Sequence, residues 1–327
     1  MKSQNQKVAY IIVGWNNQSL LKECIESIQG QTHKNKEIIY VDNASSDGSA
    51  EFVKKNFSVV QVMEMTDNYG FAKGNNIGIR KAFEDEDVAY IALLNTDATL
   101  DPDWATTILN TAAYKPKGAS FQTITLDYYD HETIDSTHIY VSHNGQATQG
   151  SHRRAMLADS DVAPQRVFGC NAAAVIYSRA FIEAQPFQDF FDQTMFMYLE
   201  DVDVAARATV MGWDNYVVPG SRAYHMGSAS SGKNPGFSLY LTFRNNSGML
   251  IKNFPLVILI KIFPKLVRGD IATIKTLWRT SRKNQIKHIF KGRFVGLLYA
   301  PIYLKKRAKI EKRNSVHLLW RLMHRGF

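Results

Sequence analysis

The sequence predicts an α/β fold built around an open, Rossmann-like, doubly wound and mainly parallel sheet. The chain has 327 residues, of which 45% are hydrophobic and 21% charged, and this composition is typical of a folded protein with a sizeable core. Within the first 125 residues, short apolar runs typical of buried parallel strands alternate with helical patterns. Strand–helix alternation of this kind places ligands at the carboxyl ends of the strands.

Four strands and four helices are predicted in the N-terminal region. Apolar runs predict strands at 8–14, 37–42, 59–65 and 88–94. Amphipathic patterns predict helices at 19–28, 48–56, 75–83 and 102–113.

The second half of the chain has a less regular pattern. Residues 125–165 collect Asp, His, Ser and Gly without periodicity, which predicts a long loop or an irregular insertion. Regular pattern returns at 167–178, followed by a helix near 197–211 and a strand near 215–218. From Phe237 onward the pattern is helical, with interruptions expected at three prolines: Pro255, Pro264 and Pro301.

Charge divides the chain into two regions, 1–250 and 251–327. The first holds 20 Lys and Arg against 28 acids, a net charge of −8, whereas the second holds 19 Lys and Arg against two acids, a net charge of +17. A mildly acidic body joined to a strongly basic tail needs a functional explanation. We expect the first region to be an α/β domain and the second to be a basic, amphipathic helical extension.

Targeting signals are not visible in the sequence. The start, MKSQNQK, lacks the apolar region of a secretory signal, and no apolar run reaches the roughly 18 residues of a membrane span. Two cysteines, Cys24 and Cys170, show neither CxxC nor zinc-site spacing, so a reducing compartment is expected. Together these features predict a cytoplasmic protein.

Polar residues cluster directly after each of the four predicted strands. These are Asn16-Asn17, Asp42 to Gly48, Asn68 to Asn76, and Asn95-Thr96-Asp97. Each group has a plain alternative, because Asp42 to Gly48 can form a turn and helix cap, and the glycines can serve backbone geometry alone. The glycine spacing does not fit GxGxxG, and no GxxxxGK[ST] sequence is present, which disfavours dinucleotide and P-loop sites.

Seven blocks of sequence, taken together, resemble a known family. They are IIVGWNN (11–17), QTHKNKEIIYVDNASSDGS (31–49), DNYGFAKGNNIGI (67–79), LLNTDATLDPDW (93–104), FGCNAAAVIYSR (168–179), MFMYLEDVDVAARATVMGW (195–213) and YHMGSASS (224–231). In this order they resemble the family 2 glycosyltransferases, whose fold is called GT-A, over roughly residues 7–255. Within that family the chain is most similar to the rhamnosyltransferase-type branch that builds bacterial cell-surface polysaccharides.

The resemblance implies a nucleotide-sugar site at the strand ends. Asp42 and Asn43 match the position that contacts the nucleotide base, where a carboxylate or amide pairs with the N3 edge of uracil or thymine. The residues expected to bind the donor are Asn16, Asp42, Asn43, Asn68, Gly70, Lys73, Asn76, Asn95, Thr96 and Asp97. The resemblance favours dTDP-L-rhamnose as donor and a lipid-linked glycan as acceptor, with a UDP-sugar as the alternative donor.

A metal site is implied by the residues after the fourth strand. In the family, the last Asp of this motif binds a divalent metal, and that position is Asp97, while Asn95 stands where the first Asp of a DxD motif would be. His225 in YHMG matches a metal-ligating histidine of the family, although a lone histidine is more often structural. Oxygen-rich ligation of this kind suits Mg²⁺ or Mn²⁺.

The catalytic base is implied by the pair Glu200-Asp201. Two carboxylates at a helix start are ordinarily favoured by the helix dipole. In the family the second residue of this pair is the base, so Asp201 is expected to deprotonate the acceptor hydroxyl and Glu200 to orient Asp201 or the acceptor. One base without a nucleophile implies inversion at the anomeric carbon, and Cys170 has no adjacent base that would make it a nucleophile.

The basic tail has three possible roles. Cations that include Lys305-Lys306-Arg307, among apolar residues at near-helical spacing, predict peripheral binding to the anionic inner surface of the cell membrane. The apolar residues expected on that face are Ile286, Ile289, Phe290, Leu297 and Leu298. A helical lid with a solvated basic face is the second role. The third, nucleic-acid binding, is not expected, because no matching signature accompanies the charge.

A catalytically silent relative that only binds sugar nucleotides or glycans is a further alternative. The retention of both Asp97 and the Glu200-Asp201 pair argues against it.

Overall fold

The computed structural model of the protein describes residues 5–152, 154, 163–227, 234–312 and 316–323. Part of the expected loop at 125–165, the SASS end of the block at 224–231 and Arg313 of the tail lie outside the described residues.

The order of the elements is that of an α/β protein followed by helices. The strands are β1 (Lys7–Gly14), β2 (Lys36–Asp42), β3 (Val60–Glu64), β4 (Val88–Leu94), β5 (Ala98–Leu100), β6 (Gly118–Asp127), β7 (Ile134–Ser136), β8 (Ile139–Val141), β9 (Ala147–Gln149), β10 (Gln165–Val167), β11 (Ala174–Ser178) and β12 (Asp214–His225). The helices are α1 (Gln18–Gln29), α2 (Ser49–Asn56), α3 (Gly70–Ala82), α4 (Trp104–Ala112), α5 (Arg179–Glu183), α6 (Glu200–Met211), α7 (Pro235–Asn253), α8 (Leu256–Arg279), α9 (Ile286–Leu298), α10 (Ala300–Lys309) and α11 (Val316–Met323).

The central sheet has the order β10-β12-β6-β11-β4-β1-β2-β3. Its N-terminal half is parallel, since β1 pairs in parallel with both β2 and β4, and β2 with β3. β11 lies antiparallel between β4 and β6, and β6 and β12 pair in parallel. The predicted α/β class is therefore confirmed, and all four predicted N-terminal strands are present.

Helices cover both faces of the sheet. Because side chains alternate along each buried strand, neighbouring residues of a strand pack into the cores on opposite faces. Tyr10 belongs to the core that includes residues of α1, α2 and α4, and Ile11 to the core that includes residues of α3, α5 and α6. At Gly78 of α3, an added Cβ would lie 2.6 Å from Ile11, so the glycine lets the helix lie close to β1. This packing holds the strand ends, and the loops after them, in fixed positions.

Two helix starts lie three or more residues from the predicted positions. α3 begins at Gly70 rather than at residue 75, because Gly70 adopts a left-handed φ of 74° that turns the chain into the helix. α6 begins at Glu200 rather than at 197, because Tyr198 and Leu199 have positive φ and cannot be helical.

The expected loop at 125–165 contains strands in its described part. β6 runs to Asp127, and the three-residue strands β7, β8 and β9 follow, with β8 and β9 forming a separate hairpin. Strands this short show no alternation in sequence. β6 itself buries polar residues such as Gln122 and Thr125, which hides its pattern. β12 also extends past the predicted end to His225, which brings that residue beside β5.

The C-terminal helices pack on the α/β body. A third core joins residues of α6, α7, α8 and α11 with the β8–β9 hairpin. The expected boundary at 250/251 lies inside α7, and α8 continues through Pro264, where no interruption occurs. Within the described residues, we find no helix that is both long and apolar enough to cross a bilayer.

Candidate active site

One cavity of about 970 Å³ opens where the strands β1, β2 and β4 end. Its wall includes nine of the residues that the sequence singled out: Asn43, Asn68, Gly70, Asn95, Thr96, Asp97, Glu200, Asp201 and His225. The other four expected residues, Asn16, Asp42, Lys73 and Asn76, lie outside the wall. The strand-end crevice thus brings together residues from both halves of the chain.

The turn after β2 is held by the residues expected to contact the nucleotide base. The carboxylate of Asp42 is buried, where it accepts hydrogen bonds from the Tyr40 hydroxyl at 2.9 Å and from the Ser45 amide at 2.9 Å. Asn43 lines the cavity and donates to the Gly70 carbonyl at 3.2 Å, while its buried Oδ1 has no hydrogen-bond partner among the described residues. An unpaired buried acceptor is costly, so this oxygen is suited to an N–H donor of a ligand.

Asn16 supports the same turn from the end of β1. Its backbone is left-handed, with φ at 53°, and its side-chain Oδ1 accepts a hydrogen bond from the Ser46 amide at 2.8 Å. Its neighbour Trp15 lines the cavity and is 43% exposed. A half-exposed indole at a cavity wall offers a stacking surface for a planar base.

The residues after β3 divide between the cavity and the core. Asn68 lines the cavity and accepts from the Gly70 amide at 2.9 Å, which shapes the start of α3. Lys73 lies with its Nζ 3.4 Å from the centre of the Tyr69 ring. Asn76 is buried, and both groups of its amide bond the Phe191 backbone, at 2.8 and 2.9 Å. Its amide therefore joins α3 to the chain that leads into α6.

Asp97 and His225 meet at the cavity wall. The Nε2 of His225 lies 3.4 Å from Oδ1 of Asp97, because β12 pairs His225 with Ala98, the residue after Asp97. On the other side of the ring, Nδ1 lies 3.0 Å from Oδ2 of Asp135 in β7. Burial alone would lower the pKa of His225, but the hydrogen bonds to Asp135 and Asp97 outweigh it and raise the pKa to about 10.

The Asp97–His225 pair fits a divalent cation. Two ligands at about 2.1 Å from one metal and at right angles to each other are about 3 Å apart. The observed distance of 3.4 Å is close to that value. A carboxylate and an imidazole are both suitable ligands for Mn²⁺. No group of three or more His, Cys, Asp or Glu with metal-binding geometry occurs in the described part of the chain, so a metal here would need further oxygens from a diphosphate or water.

Glu200 and Asp201 enter the cavity from the first turn of α6. Asp201 is held by two backbone amides, since Val202 donates to its Oδ1 at 2.7 Å and Ala172 to its Oδ2 at 3.3 Å. Glu200 is buried, and within the part of the chain that the structure describes its Oε2 has no hydrogen-bond partner.

The two carboxyl groups of this pair differ in their surroundings. Burial, and then the charge of Asp201, raise the pKa of Glu200 well above its usual range. Burial also raises the pKa of Asp201, although its backbone hydrogen bonds oppose the rise. The pair therefore favours a neutral Glu200 and one negative charge, on Asp201.

Three other residues of the second half, Asp203, Arg207 and Cys170, are buried. The side chains of Asp203 and Arg207 lie 3.3 Å apart, and Arg207 also donates to the Phe190 carbonyl at 2.6 Å. Burial raises the pKa of the Cys170 thiol to about 12, so it is not a thiolate at neutral pH.

The remaining wall contains residues that the sequence analysis did not select. They include Gln149 of β9, Phe196 and Tyr198 before α6, and Phe237, Ser238 and Thr242 of α7. The Tyr198 hydroxyl lies 3.0 Å from the Ser238 hydroxyl, which joins two of these segments. The helical pattern from Phe237 is visible in the sequence, but nothing in it indicates which helix face borders the cavity. Asp135 was also missed, because it lies in the region predicted to be a loop.

An α/β sheet with a carboxylate–histidine pair and two further carboxyl groups around one cavity is the arrangement that the resemblance to GT-A glycosyltransferases implied. The profile of glycosyl transferase family 2 matches residues 10–184, and the chain belongs to that family.

Two curated relatives are similar over part of the chain. EpsH of Bacillus subtilis (strain 168), named as a candidate glycosyltransferase, is 28% identical over 111 residues, which are 32% of this chain and 30% of EpsH. Glycosyltransferase GlyA of Streptococcus pneumoniae serotype 4 is 27% identical over 107 residues, which are 32% of this chain and 15% of GlyA. Each match thus spans less than a third of the relative.

Two solved structures share the fold. GalNAc-T7 with UDP, GalNAc and Mn²⁺ has a TM-score of 0.58 at 14% identity, over 75% of this chain and 48% of that one. The mannosyltransferase PcManGT from Pyrobaculum calidifontis, with GDP-Man and Mn²⁺, has a TM-score of 0.52 at 14% identity, over 92% of this chain and 86% of that one. The expected GT-A fold, followed by C-terminal helices, is confirmed.

Proposed function

We propose that the protein is an inverting, metal-dependent glycosyltransferase of bacterial cell-surface polysaccharide synthesis. The first choice of donor is dTDP-L-rhamnose, the alternative is a UDP-sugar, and the acceptor is a lipid-linked glycan. The observation that carries the proposal is the cavity shared by the Asp97–His225 pair and Asp201. The pair suits a metal-bound diphosphate, and the carboxylate suits an acceptor hydroxyl.

Each group has a role in one direct displacement. Asp201 takes the proton of the acceptor hydroxyl while that oxygen attacks the anomeric carbon and the bond to the diphosphate breaks. A carboxylate with a raised pKa is a stronger base, and burial of Asp201 works in that direction. Neutral Glu200 can donate a hydrogen bond in the cavity. A divalent cation, when bound by Asp97 and His225, supplies Lewis-acid stabilisation of the leaving diphosphate.

The donor and the metal are tested by binding and turnover. Thermal shifts with dTDP-L-rhamnose and UDP-glucose, each with and without Mn²⁺, identify the nucleotide and the metal requirement. We expect Asp97→Ala to lose metal-dependent nucleotide binding and transfer. Full activity of this variant, or of the wild type in excess chelator, would overturn the metal assignment.

The base is tested separately. Asp201→Asn keeps the size and removes proton acceptance, so kcat should fall by ~10²–10⁴ with donor affinity nearly unchanged. Product NMR should show the inverted anomer. A retained anomer, or lost donor binding with full turnover of bound donor, contradicts this mechanism.

Peripheral binding to the inner face of the cell membrane is the second part of the proposal. The support is an exposed apolar stripe along α8 that comprises Leu256, Ile260, Phe263, Val267, Ile271 and Trp278. Further exposed apolar residues on α9 and α10 are Phe290, Phe294, Leu297, Leu298 and Ile302. Ile289, predicted for this face, is buried instead, because it packs in a small core with Phe243 and Leu277.

Charge reversal of cations on the C-terminal helices tests the proposed membrane binding. Lys306 and Arg307 are unsuitable for charge reversal, because Lys306 pairs with Asp192 and Arg307 donates to the Ile251 carbonyl at 2.9 Å. The exposed Lys265 and Lys275 of α8 are better targets. Each cation near an anionic bilayer contributes about 1 kcal/mol, so reversal of both to Glu should weaken sedimentation with phosphatidylglycerol vesicles.

Salt should weaken the same binding by screening it. Equal binding of the wild type to neutral and anionic vesicles would reject the electrostatic part. No binding to either would reject the membrane role and favour a packed lid.

A further inference from the structure

The segment before the Glu200-Asp201 pair has an unfavourable backbone. Phe196, Tyr198 and Leu199 have φ values of 63°, 69° and 66°, a region that residues with large side chains rarely adopt. Leu199 is the N-cap of α6, so the two carboxyl residues follow it directly. Residues in such conformations persist only where the surrounding structure holds them.

The α7 residue Asn245 holds this segment. Its side chain is fully buried, and its Nδ2 lies within hydrogen-bond distance of three carbonyl oxygens. These belong to Met195 and Met197, both at 2.9 Å, and to Tyr198 at 2.8 Å. Its Oδ1 accepts from Nε of Arg244 at 2.9 Å. One amide therefore contacts carbonyls on both sides of the left-handed Phe196.

Two further residues, Arg244 and Ala72, hold the same segment. Arg244 donates to the carbonyls of Thr194 and Met195, at 2.8 and 2.9 Å. On the α3 side, the Ala72 amide donates to the Phe196 carbonyl at 3.0 Å. The segment is thus held between α3 and α7, and Asn245 reaches the Tyr198 carbonyl, three residues before the carboxylate expected to act as the base.

We propose that Asn245 is a positioning residue, which fixes the left-handed turn at 196–199 so that Asp201 faces the acceptor side of the cavity. This inference rests on the proposed role of Asp201 as the base. Without the Asn245 amide, the carbonyls of Met197 and Tyr198 lose these contacts with α7, and the turn can relax toward ordinary φ values. That relaxation changes the direction in which the first turn of α6 presents its carboxylates, whereas the residues after β1, β2 and β4 that are expected to bind the donor keep their places.

The chain offers a matched control at the next position. Asn246 is also a buried asparagine of α7, but its Nδ2 donates to the Gly145 carbonyl at 2.7 Å and its Oδ1 accepts from Arg293 at 2.8 Å. Replacement of either asparagine by Ala removes a buried amide from the same helix. Only Asn245→Ala removes contacts with the turn at 196–199.

The first measurement is hydrogen exchange of the amides at 196–201 in the full chain. We expect Asn245→Ala and the isosteric Asn245→Asp, which loses the donor, to speed this exchange, and Asn246→Ala to leave it unchanged. This readout does not depend on activity. Equal exchange in Asn245→Ala and the wild type, or an equal increase in Asn246→Ala, overturns the proposal.

The second measurement is turnover of dTDP-L-rhamnose with Mn²⁺, with Asp201→Asn in parallel. Because misplacement of a catalytic group by about 1 Å costs ~10²-fold, we expect both Asn245 variants to lower kcat by ~10–100-fold, with KM for the donor unchanged. Asn246→Ala should keep the wild-type kcat. An unchanged kcat in Asn245→Asp refutes the positioning role. A fully active Asp201→Asn refutes the proposed base instead, so the two failures are distinguishable.

Discussion

Replacement of Lys252 by Met should destabilise the whole protein, because this residue joins the tail to the α/β body. Lys252 lies on α7 and is buried, and its Nζ is 2.7 Å from Asp192 and 2.8 Å from Asp203. Removal of the ammonium leaves two buried carboxylates with one cation fewer. Breaking a buried ion pair in this way costs about 3–5 kcal/mol.

Asp192 and Asp203 both keep other partners after this substitution, so the expected loss in the free energy of unfolding lies at the lower end of that range. Asp192 keeps Lys306 at 2.6 Å, while Asp203 keeps Arg207 at 3.3 Å and the amide of Asn253 at 2.7 Å. We therefore expect a loss of about 3 kcal/mol. At roughly 2–4 °C per kcal/mol for a chain of this size class, Tm should fall by ~6–12 °C.

The assay is thermal unfolding followed by circular dichroism, with Lys275→Met as the control. Lys275 is an exposed lysine of α8, so its replacement should change Tm by less than about 2 °C. A Tm of Lys252→Met within that margin of the wild type would refute the claim that the buried network holds the helices to the body.

The pH dependence of the same network provides a second check. Burial alone would raise the pKa of Asp192, but Lys252 and Lys306 outweigh it and hold the pKa well below its usual range. A carboxylate with a lowered folded-state pKa contributes stability that is present above about pH 4 and is lost progressively as the pH falls below it. Lys252→Met should reduce this acid-dependent loss, which unfolding midpoints between about pH 2.5 and pH 6 would measure.

Three further predictions concern the site. Gly70→Ala should lower both Tm and kcat, because Gly70 has a φ of 74° and an added Cβ would lie 2.6 Å from the carbonyl oxygen of Phe196. Wild-type Tm and kcat in this variant would contradict the prediction. Glu200→Gln should reduce the loss of Tm as pH rises above about 5, because a carboxyl group with a raised folded-state pKa lowers stability as pH increases. An unchanged slope of Tm against pH would show that Glu200 is not held neutral. Asp135→Asn should weaken Mn²⁺ binding in the presence of UDP by ~10–100-fold in calorimetry, since Asp135 orients His225 through Nδ1, and equal affinity would remove that role.

The basic tail shows how burial changes the interpretation of charge. In sequence, Lys305, Lys306 and Arg307 form one basic cluster. In the structure Lys305 is exposed, whereas Lys306 pairs with Asp192 and Arg307 donates to carbonyls at the end of α7. Whether a cation is solvated or paired depends on the acids that packing brings near it, and these acids are distant in sequence.

Sequence and structure agree best where the pattern is local. The strands β1, β2 and β4 were predictable because strands buried on both faces need continuous apolar runs. The polar residues after them were predictable as a site because parallel strands end at one edge. The pairing of Asp97 with His225 was implied only by resemblance to the family. The hairpin at 139–149 and the strand with Asp135 were missed, because three-residue strands are held by neighbours rather than by their own composition.

By itself, the sequence determined the α/β class, the family and the strand-end cavity, because these depend on periodicity and on motifs that are contiguous in the chain. Only the tertiary structure decided which side chains that cavity contains and what holds them. Asn76, expected to bind the donor, bonds the Phe191 backbone, and Asn245, which no motif indicated, bonds the turn before Asp201. The physical reason is that a buried side-chain amide must form hydrogen bonds with the polar groups that lie next to it. Which backbone groups lie next to it depends on contacts between segments that are remote in sequence.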